Sequence, residues 1–98
     1  MSCFSVIISA QADKDLRAIY EYIAVTLLSP ENAFAQLSRL EDRILKLDEL
    51  PLRYPVYKND IRIMPVDNYL VFYSVDEESK TVRVLRVMYG RRDIENTI

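Results

Sequence analysis

The stretch VDNYLVFYSVDEESKTVRVLRV, residues 66–87, decides the fold. Two β-rich runs flank DEESK, a segment too polar to be anything but a turn, so the whole reads as an antiparallel hairpin. The spacing predicts strands over residues 69–75 and 81–88. Strict alternation in the second sends Val82, Val84, Arg86 and Met88 one way and Arg83, Leu85, Val87 and Tyr89 the other. The hairpin runs directly into Met88-Tyr89-Gly90-Arg91-Arg92-Asp93. Gly90 is the only glycine in the chain, and Arg83, Arg86, Arg91 and Arg92 lie on both sides of it. A conformationally free residue at a strand end, beside clustered cations, points to a binding surface.

Working outward, residues 65–68 read as a turn and 61–64 as a short strand. PLRYPVYKND (51–60) reads as a proline-punctuated loop carrying Tyr54 and Tyr57. Upstream, Ala33, Leu37, Leu40, Ile44 and Leu47 recur at spacings of three and four, one face of a helix that stops before Pro51. Ser29-Pro30-Glu31 suits its start, with proline at the first helical position. Leu16, Ile19, Tyr20, Ile23 and Leu27 form the stripe of an earlier helix, which Ser9 can cap and whose first turns hold Asp13 and Asp15. Residues 3–8 read as a first strand. Two helices joined by almost nothing fold back as an antiparallel hairpin. The element order is β-α-α-β-β-β, which predicts a single α+β domain over 1–98 with the helical hairpin packed on a curved antiparallel sheet. Helices cover one sheet face, yet Leu70 and Phe72 are as apolar as Tyr69, Val71, Tyr73 and Val75 on the other register. An uncovered apolar sheet is the expectation, and with it a protein partner. Phe34 and Leu45 are surplus apolar positions on the second helix.

The chain has no histidine and one cysteine, Cys3. That excludes an internal disulfide, an ordinary zinc site and a Ser-His-Asp or Cys-His triad. With one glycine, a Gly-rich phosphate loop is excluded too. No cofactor or metal is expected. No apolar run is long enough to span a membrane, the first residues do not read as a signal peptide, and a reducing cytoplasm is the expected location. Net charge is −2, but it is unevenly spread. Residues 1–50 hold five Lys/Arg and eight Asp/Glu, and residues 51–98 hold eight and seven. This is not the broad basic field by which proteins grip phosphate backbones.

Two constellations offer chemistry. Arg62, Arg83, Arg86, Arg91 and Arg92, with Tyr89 and Lys58 and Tyr57 nearby, would suit metal-free cleavage of an RNA strand: guanidinium forks hold phosphate and a tyrosine stacks or relays a proton. The plainer reading pairs Arg86 with an acid in the sheet and leaves Arg83 and Arg91 solvated. The paired carboxylates (Asp13/Asp15, Glu41/Asp42, Asp48/Glu49, Glu77/Glu78) fall on helix surfaces or turns and read as solvated charge.

In its joint order and spacing, the chain resembles the RelE/ParE superfamily of bacterial toxins from type II toxin–antitoxin modules. The resemblance is carried by IISAQADKDLRAIYEYIA, SPENAFAQLSRLEDRILKLDELPLRYP, IRIMPVDNYLVFYSV and VRVLRVMYGRRDI. It implies a small growth inhibitor neutralised by a cognate antitoxin that wraps it, with operator DNA contacted only through the antitoxin. RelE-like members cleave mRNA on the ribosome; ParE-like members poison DNA gyrase and are not nucleases. On the nuclease branch the resemblance makes Arg62, Arg86, Tyr89 and Arg92 the catalytic set, with Arg92 matching the arginine after the final glycine. The missing histidine, the single lysine of the 51–60 loop and the acidic balance depart from that branch. The long helical hairpin and RIMPVDNYLVFYSV look closer to ParE. The reading leans to a gyrase-directed toxin, with the mRNA endonuclease and a non-toxic binding module of the same fold as alternatives.

Overall fold

The computed structural model describes residues 3–90. Strand β1 (Ser5–Ile8) leads into helix α1 (Ala10–Glu21), which continues as a π-helical turn over Tyr22–Thr26. Helix α2 (Pro30–Leu45) runs back and ends in a short 3-10 turn, Lys46–Asp48, followed by a second at Pro51–Arg53. Strands β2 (Val56–Lys58), β3 (Ile61–Val66), β4 (Tyr69–Asp76) and β5 (Thr81–Tyr89) complete one sheet in the order β1-β5-β4-β3-β2.

The expected α+β layering and helical hairpin are present, and three details of the sheet differ from the expectation. The sheet is mixed, because β1 lies parallel to β5, with Ser5 opposite Thr81 and Ile8 opposite Val84. The β2–β5 meander uses both sides of β4 and one side of β5, so the remaining side of β5 is a place the first strand can pair. Returning there through the helical hairpin makes the pairing parallel. Second, the loop predicted over 51–60 contributes a short edge strand, β2, with Val56 opposite Arg62. Third, Pro65, expected in a turn, lies within β3 opposite Leu70. Ile63 N–H points outward to Pro55 C=O at 3.2 Å. Pro65 shares that parity, so the ring that lacks an N–H faces the open edge beyond β2, where no donor is required.

A bulge between Phe72 and Tyr73 breaks the predicted alternation in β5. Phe72 pairs with Arg86 and Tyr73 with Val84, leaving Leu85 as the extra residue. Beyond it the two faces exchange: Val87 joins Val82 and Val84 in the buried core, and Arg86 and Met88 follow Arg83 to the opposite register. The core beneath the helices gathers Leu16, Leu40, Ile44, Met64, Val71 and Tyr73. Tyr73 is fully buried, and its hydroxyl donates to Pro51 C=O at 2.5 Å, holding the 51–53 turn against the sheet. Burial pushes its pKa up to about 12.

Apolar exposure was expected on the sheet; part of it is there, at Ile7, Ile8, Val56 and Tyr89 on β1, β2 and the end of β5, and the rest lies at the two ends of the helical hairpin. Phe72, on the face away from the helices, is 0 % exposed, flanked in register by Ile63 and Arg86 and met edge-on by Tyr57 with ring centroids 6.3 Å apart. The large apolar side chains open to solvent include Tyr22, Val25, Leu27 and Leu28 at the tip, and Leu45, Leu50 and Leu52 past the other end of α2.

Candidate functional site

Ser9 fixes where α1 begins. Its hydroxyl accepts from Ala12 N–H at 3.0 Å, capping the helix, and donates to Leu85 C=O at 3.1 Å, so one side chain joins helix start to bulge. That placement brings Asp15, two turns in, beside the section of β5 that β1 no longer covers. Asp15 accepts from Arg86 Nε (2.9 Å) and Nη2 (3.2 Å), from Val87 N–H (2.9 Å) and from Gln11 Nε2 (3.1 Å). Burial raises the carboxyl's pKa, but the hydrogen bonds from Arg86, Val87 and Gln11 outweigh it and hold it below the usual value. The same bond raises the Arg86 guanidinium's pKa. Asp15 thus acts as a missing strand neighbour: it satisfies a β5 N–H and fixes a forked cation with one group.

Arg62 is also committed. Its Nη1 donates to Tyr54 C=O at 2.6 Å and to Leu52 C=O at 3.1 Å, tying the loop before β2 to the sheet. Arg43 Nη2 donates to the Tyr54 hydroxyl at 3.2 Å, and Arg53 lies over the Tyr54 ring, 5.4 Å from its centroid. Three arginines therefore converge on Tyr54, beside a small recess of about 70 Å³ that Lys46 and Glu49 help to line. Tyr89, the third of the candidate set, is exposed at the far end of β5 and meets Tyr69 edge-on, centroids 5.5 Å apart. Arg62 and Tyr89 belong to different neighbourhoods: Arg62 serves the 51–55 loop and Tyr89 the hairpin tip. Arg91 and Arg92 lie outside the described residues. Lys58 sits over the ring of Tyr57 at 5.4 Å.

Sequence reasoning missed the groove that Tyr89 borders. It has a volume of about 950 Å³ and lies between the π-helical turn, the first turns of α2 and the β3–β4 turn, with Tyr22, Ile23, Leu27, Asn68, Tyr69 and Tyr89 among its walls. Burial, reinforced by the neighbouring Tyr89 and Tyr22, raises the pKa of Tyr69. Asp67 anchors the outer side, accepting from Arg39 Nε at 2.8 Å and Gln36 Nε2 at 2.9 Å; these bonds lower its pKa. The helix end itself is closed by Leu27 N–H to Tyr22 C=O and Ser29 N–H to Ile23 C=O, each 3.0 Å. This resembles a Schellman cap widened by a residue, and Leu28 takes the left-handed position, φ 54°, that glycine ordinarily fills. No sequence signal marks it, because leucine is the wrong residue for that conformation. Among the described residues no group of three or more His, Cys, Asp or Glu is placed to hold a metal ion, and no helix is long and apolar enough to cross a membrane.

A family model described as the ParE toxin of the type II toxin–antitoxin system parDE matches residues 6–94. The chain belongs to the ParE toxin family. Its fold agrees with solved toxin structures at low sequence identity. Against the chromosomal ParDE system of P. aeruginosa the TM-score is 0.79 at 20% identity, covering 91% of this ParE-family chain and 98% of the other. The RelBE2 toxin–antitoxin complex of Mycobacterium tuberculosis gives 0.66 at 22%, covering 89% and 98%. The archaeal RelE–RelB complex of Pyrococcus horikoshii gives 0.64 at 19%, covering 92% and 98%. No curated protein sequence matches the chain.

Proposed function

We propose that this ParE-family chain is the growth-inhibiting toxin of a type II module, neutralised by a cognate antitoxin and directed at DNA gyrase rather than at mRNA. The observation that carries the choice of target is the commitment of Arg62 and Arg86 to internal acceptors. Cleaving RNA without a metal requires cations free to meet the charge that develops at phosphorus, and a proton carrier beside them. Two of the four residues that would form such a centre are instead holding a loop and a helix in place. The net charge of −2 supports the same choice, since a protein working among ribosomal phosphates gains from a strongly basic surface. The solved P. aeruginosa and M. tuberculosis relatives are toxin–antitoxin systems, which supports an antitoxin as this chain's partner. Operator DNA would be reached through that partner, and gyrase places the site of action in the cytoplasm.

Purified protein is expected to block supercoiling by purified gyrase, and induction without antitoxin is expected to raise the DNA-damage response before translation slows. Translation stopping first, with mRNAs cut within codons on ribosomes, would reverse the choice. The exposed Tyr89 is what favours that second reading. Under it, Tyr89→Phe and Arg92→Ala would abolish cleavage and leave antitoxin binding intact; under the gyrase reading neither cleaves to begin with.

A further inference from the structure

The tip of the helical hairpin has properties that neither target explains. From residue 18 to residue 38 the chain contains no lysine, arginine or aspartate, and its only charges are Glu21 and Glu31. The cations flanking this span are occupied: Arg17 pairs with Asp13 at 3.2 Å and Arg39 with Asp67 at 2.8 Å. Within the same span Tyr22, Val25, Leu27, Leu28 and Phe34 are all exposed, at 53 to 82% of their surface. Single exposed leucines are ordinary, but a run of five large apolar side chains at one end of a small domain is not.

Leu28 is the most exposed of them, at 82%. Its left-handed backbone carries a steric cost that glycine would avoid. Within its own chain the side chain recovers nothing by burial. Burial against another molecule would offset that cost.

Charge indicates which kind. A second copy brought face to face through this tip would set Glu21 and Glu31 against their own counterparts, because a two-fold contact pairs a patch with itself. Like charges so placed are penalised. A small neutral ligand would draw nothing from the glutamates. A cationic, partly apolar segment uses everything present: glutamates for its charges, leucines for its apolar stripe, and the rings of Tyr22 and Tyr89 as faces for a guanidinium or ammonium group. An open groove between helix end and sheet turn is the shape that accepts one side of an amphipathic helix.

We propose that the hairpin tip is the docking surface for a basic amphipathic helical segment of a partner protein. Its apolar stripe lies against Leu27, Leu28 and the groove, and its Lys or Arg side chains meet Glu21 and Glu31. The proposal does not depend on the choice between gyrase and mRNA.

Two fluorescent 18-residue peptides test it, identical in their leucine stripe and carrying either lysine or glutamate on the polar face. Anisotropy titrations of the full-length protein should show the lysine peptide binding at least tenfold more tightly than the glutamate peptide. Leu28→Gly should weaken the lysine peptide at least tenfold with the thermal midpoint unchanged or raised, so lost binding cannot be blamed on lost fold. The double variant Glu21→Lys/Glu31→Lys should reverse the preference. Leu50→Gly, at the other end of the hairpin, should leave it unchanged. Equal binding of the two peptides, no binding of either, or indifference to Leu28→Gly overturns the proposal. So does a concentration-dependent dimer in sedimentation that Leu28→Gly dissolves, since a second copy would then be the occupant.

Discussion

The two ends of the helical hairpin use the same local device in opposite electrostatic settings. At the tip, Leu28 closes a helix in the left-handed conformation and stands 82% exposed; past the other end of α2, Leu50 takes the same conformation, φ 51°, where it opens the Pro51–Arg53 turn, and stands 72% exposed. Among the described residues the tip segment 18–38 carries no cation, and tyrosines line its groove. The base gathers Arg43, Arg53 and Arg62 around Tyr54, with Lys46 alongside. The ends differ in mechanics as well. The base is pinned into the core by the Tyr73 hydroxyl and the Arg62 fork, whereas the tip is held by its own helix-closing bonds and the Asp67 bridge. Such a molecule offers two apolar surfaces of opposite charge preference, one rigid and one locally supported.

The largest expected effect removes the frame common to both ends. Asp15→Ala strips acceptors from Arg86, Val87 and Gln11 and should cost on the order of 2–3 kcal/mol in urea unfolding. It should also weaken peptide binding at the tip, and a cost below about 1 kcal/mol would show that α1 is not held to β5 in this way. Because the folded pKa of Asp15 is depressed, its contribution is complete above the ordinary aspartate value of 3.8 and is lost as pH falls through the lower folded value. The acid limb of the stability profile should flatten in the variant.

Tyr73→Phe comes next and separates the ends. Losing the bond to Pro51 should cost about 1–2 kcal/mol and loosen the base while the tip keeps its preference for cationic peptide. Here the folded pKa is raised, from 10.0 to about 12. Stability that depends on the neutral phenol is therefore full below pH 10 and declines as pH rises toward 12, and the variant should lack that alkaline decline. Equal loosening at both ends, read by hydrogen exchange of amides 22–29 and 50–55, would refute their mechanical independence.

Smaller still are the paired substitutions Leu28→Gly and Leu50→Gly. Relief of the left-handed strain, less the entropy glycine adds to the unfolded chain, should stabilise each by a few tenths to about 1 kcal/mol. If either leucine destabilises on removal, its side chain is packing within the chain after all. Least is Asp67→Asn, which removes an exposed ion pair with Arg39 and should cost no more than about 0.5 kcal/mol, vanishing in high salt.

What could be read beforehand follows from which effects are local. The second helix's stripe, the Ser9 cap and the polar turn before β5 are set by neighbours a few positions away and appear where the spacing put them; the first helix's stripe holds at Leu16 but not at Leu27, which the π-helical turn leaves 53% exposed. The side of β5 that Val87 and Arg86 occupy is set by a bulge opposite Phe72, a long-range mismatch that alternation cannot register. Pro65 read as a turn because its tolerance depends on an open edge, known only once β2 is seen to stop short. Arg62 and Arg86 were legible as candidates by residue type. Their acceptors, carbonyls near residue 54 and a carboxylate 71 positions upstream, were not. Phe34 and Leu45 announced surplus apolar surface correctly, while Leu28 and Leu50 did not, because backbone conformation rather than periodicity turns them outward.

The parallel pairing of β1 with β5 also sets a schedule. Ser9 and Leu85, which it brings together, stand 76 residues apart, and at ribosomal speeds of about 5–20 residues per second the first strand waits roughly 4–15 s for its partner to be made. During that interval the helical hairpin can form, but Asp15 has no Arg86 and the core lacks Val82, Val84 and Val87. Completion of the molecule is thus tied to the arrival of its last strand, so a chain cut short by some twenty residues would be left without a finished sheet and without either end held in its final position.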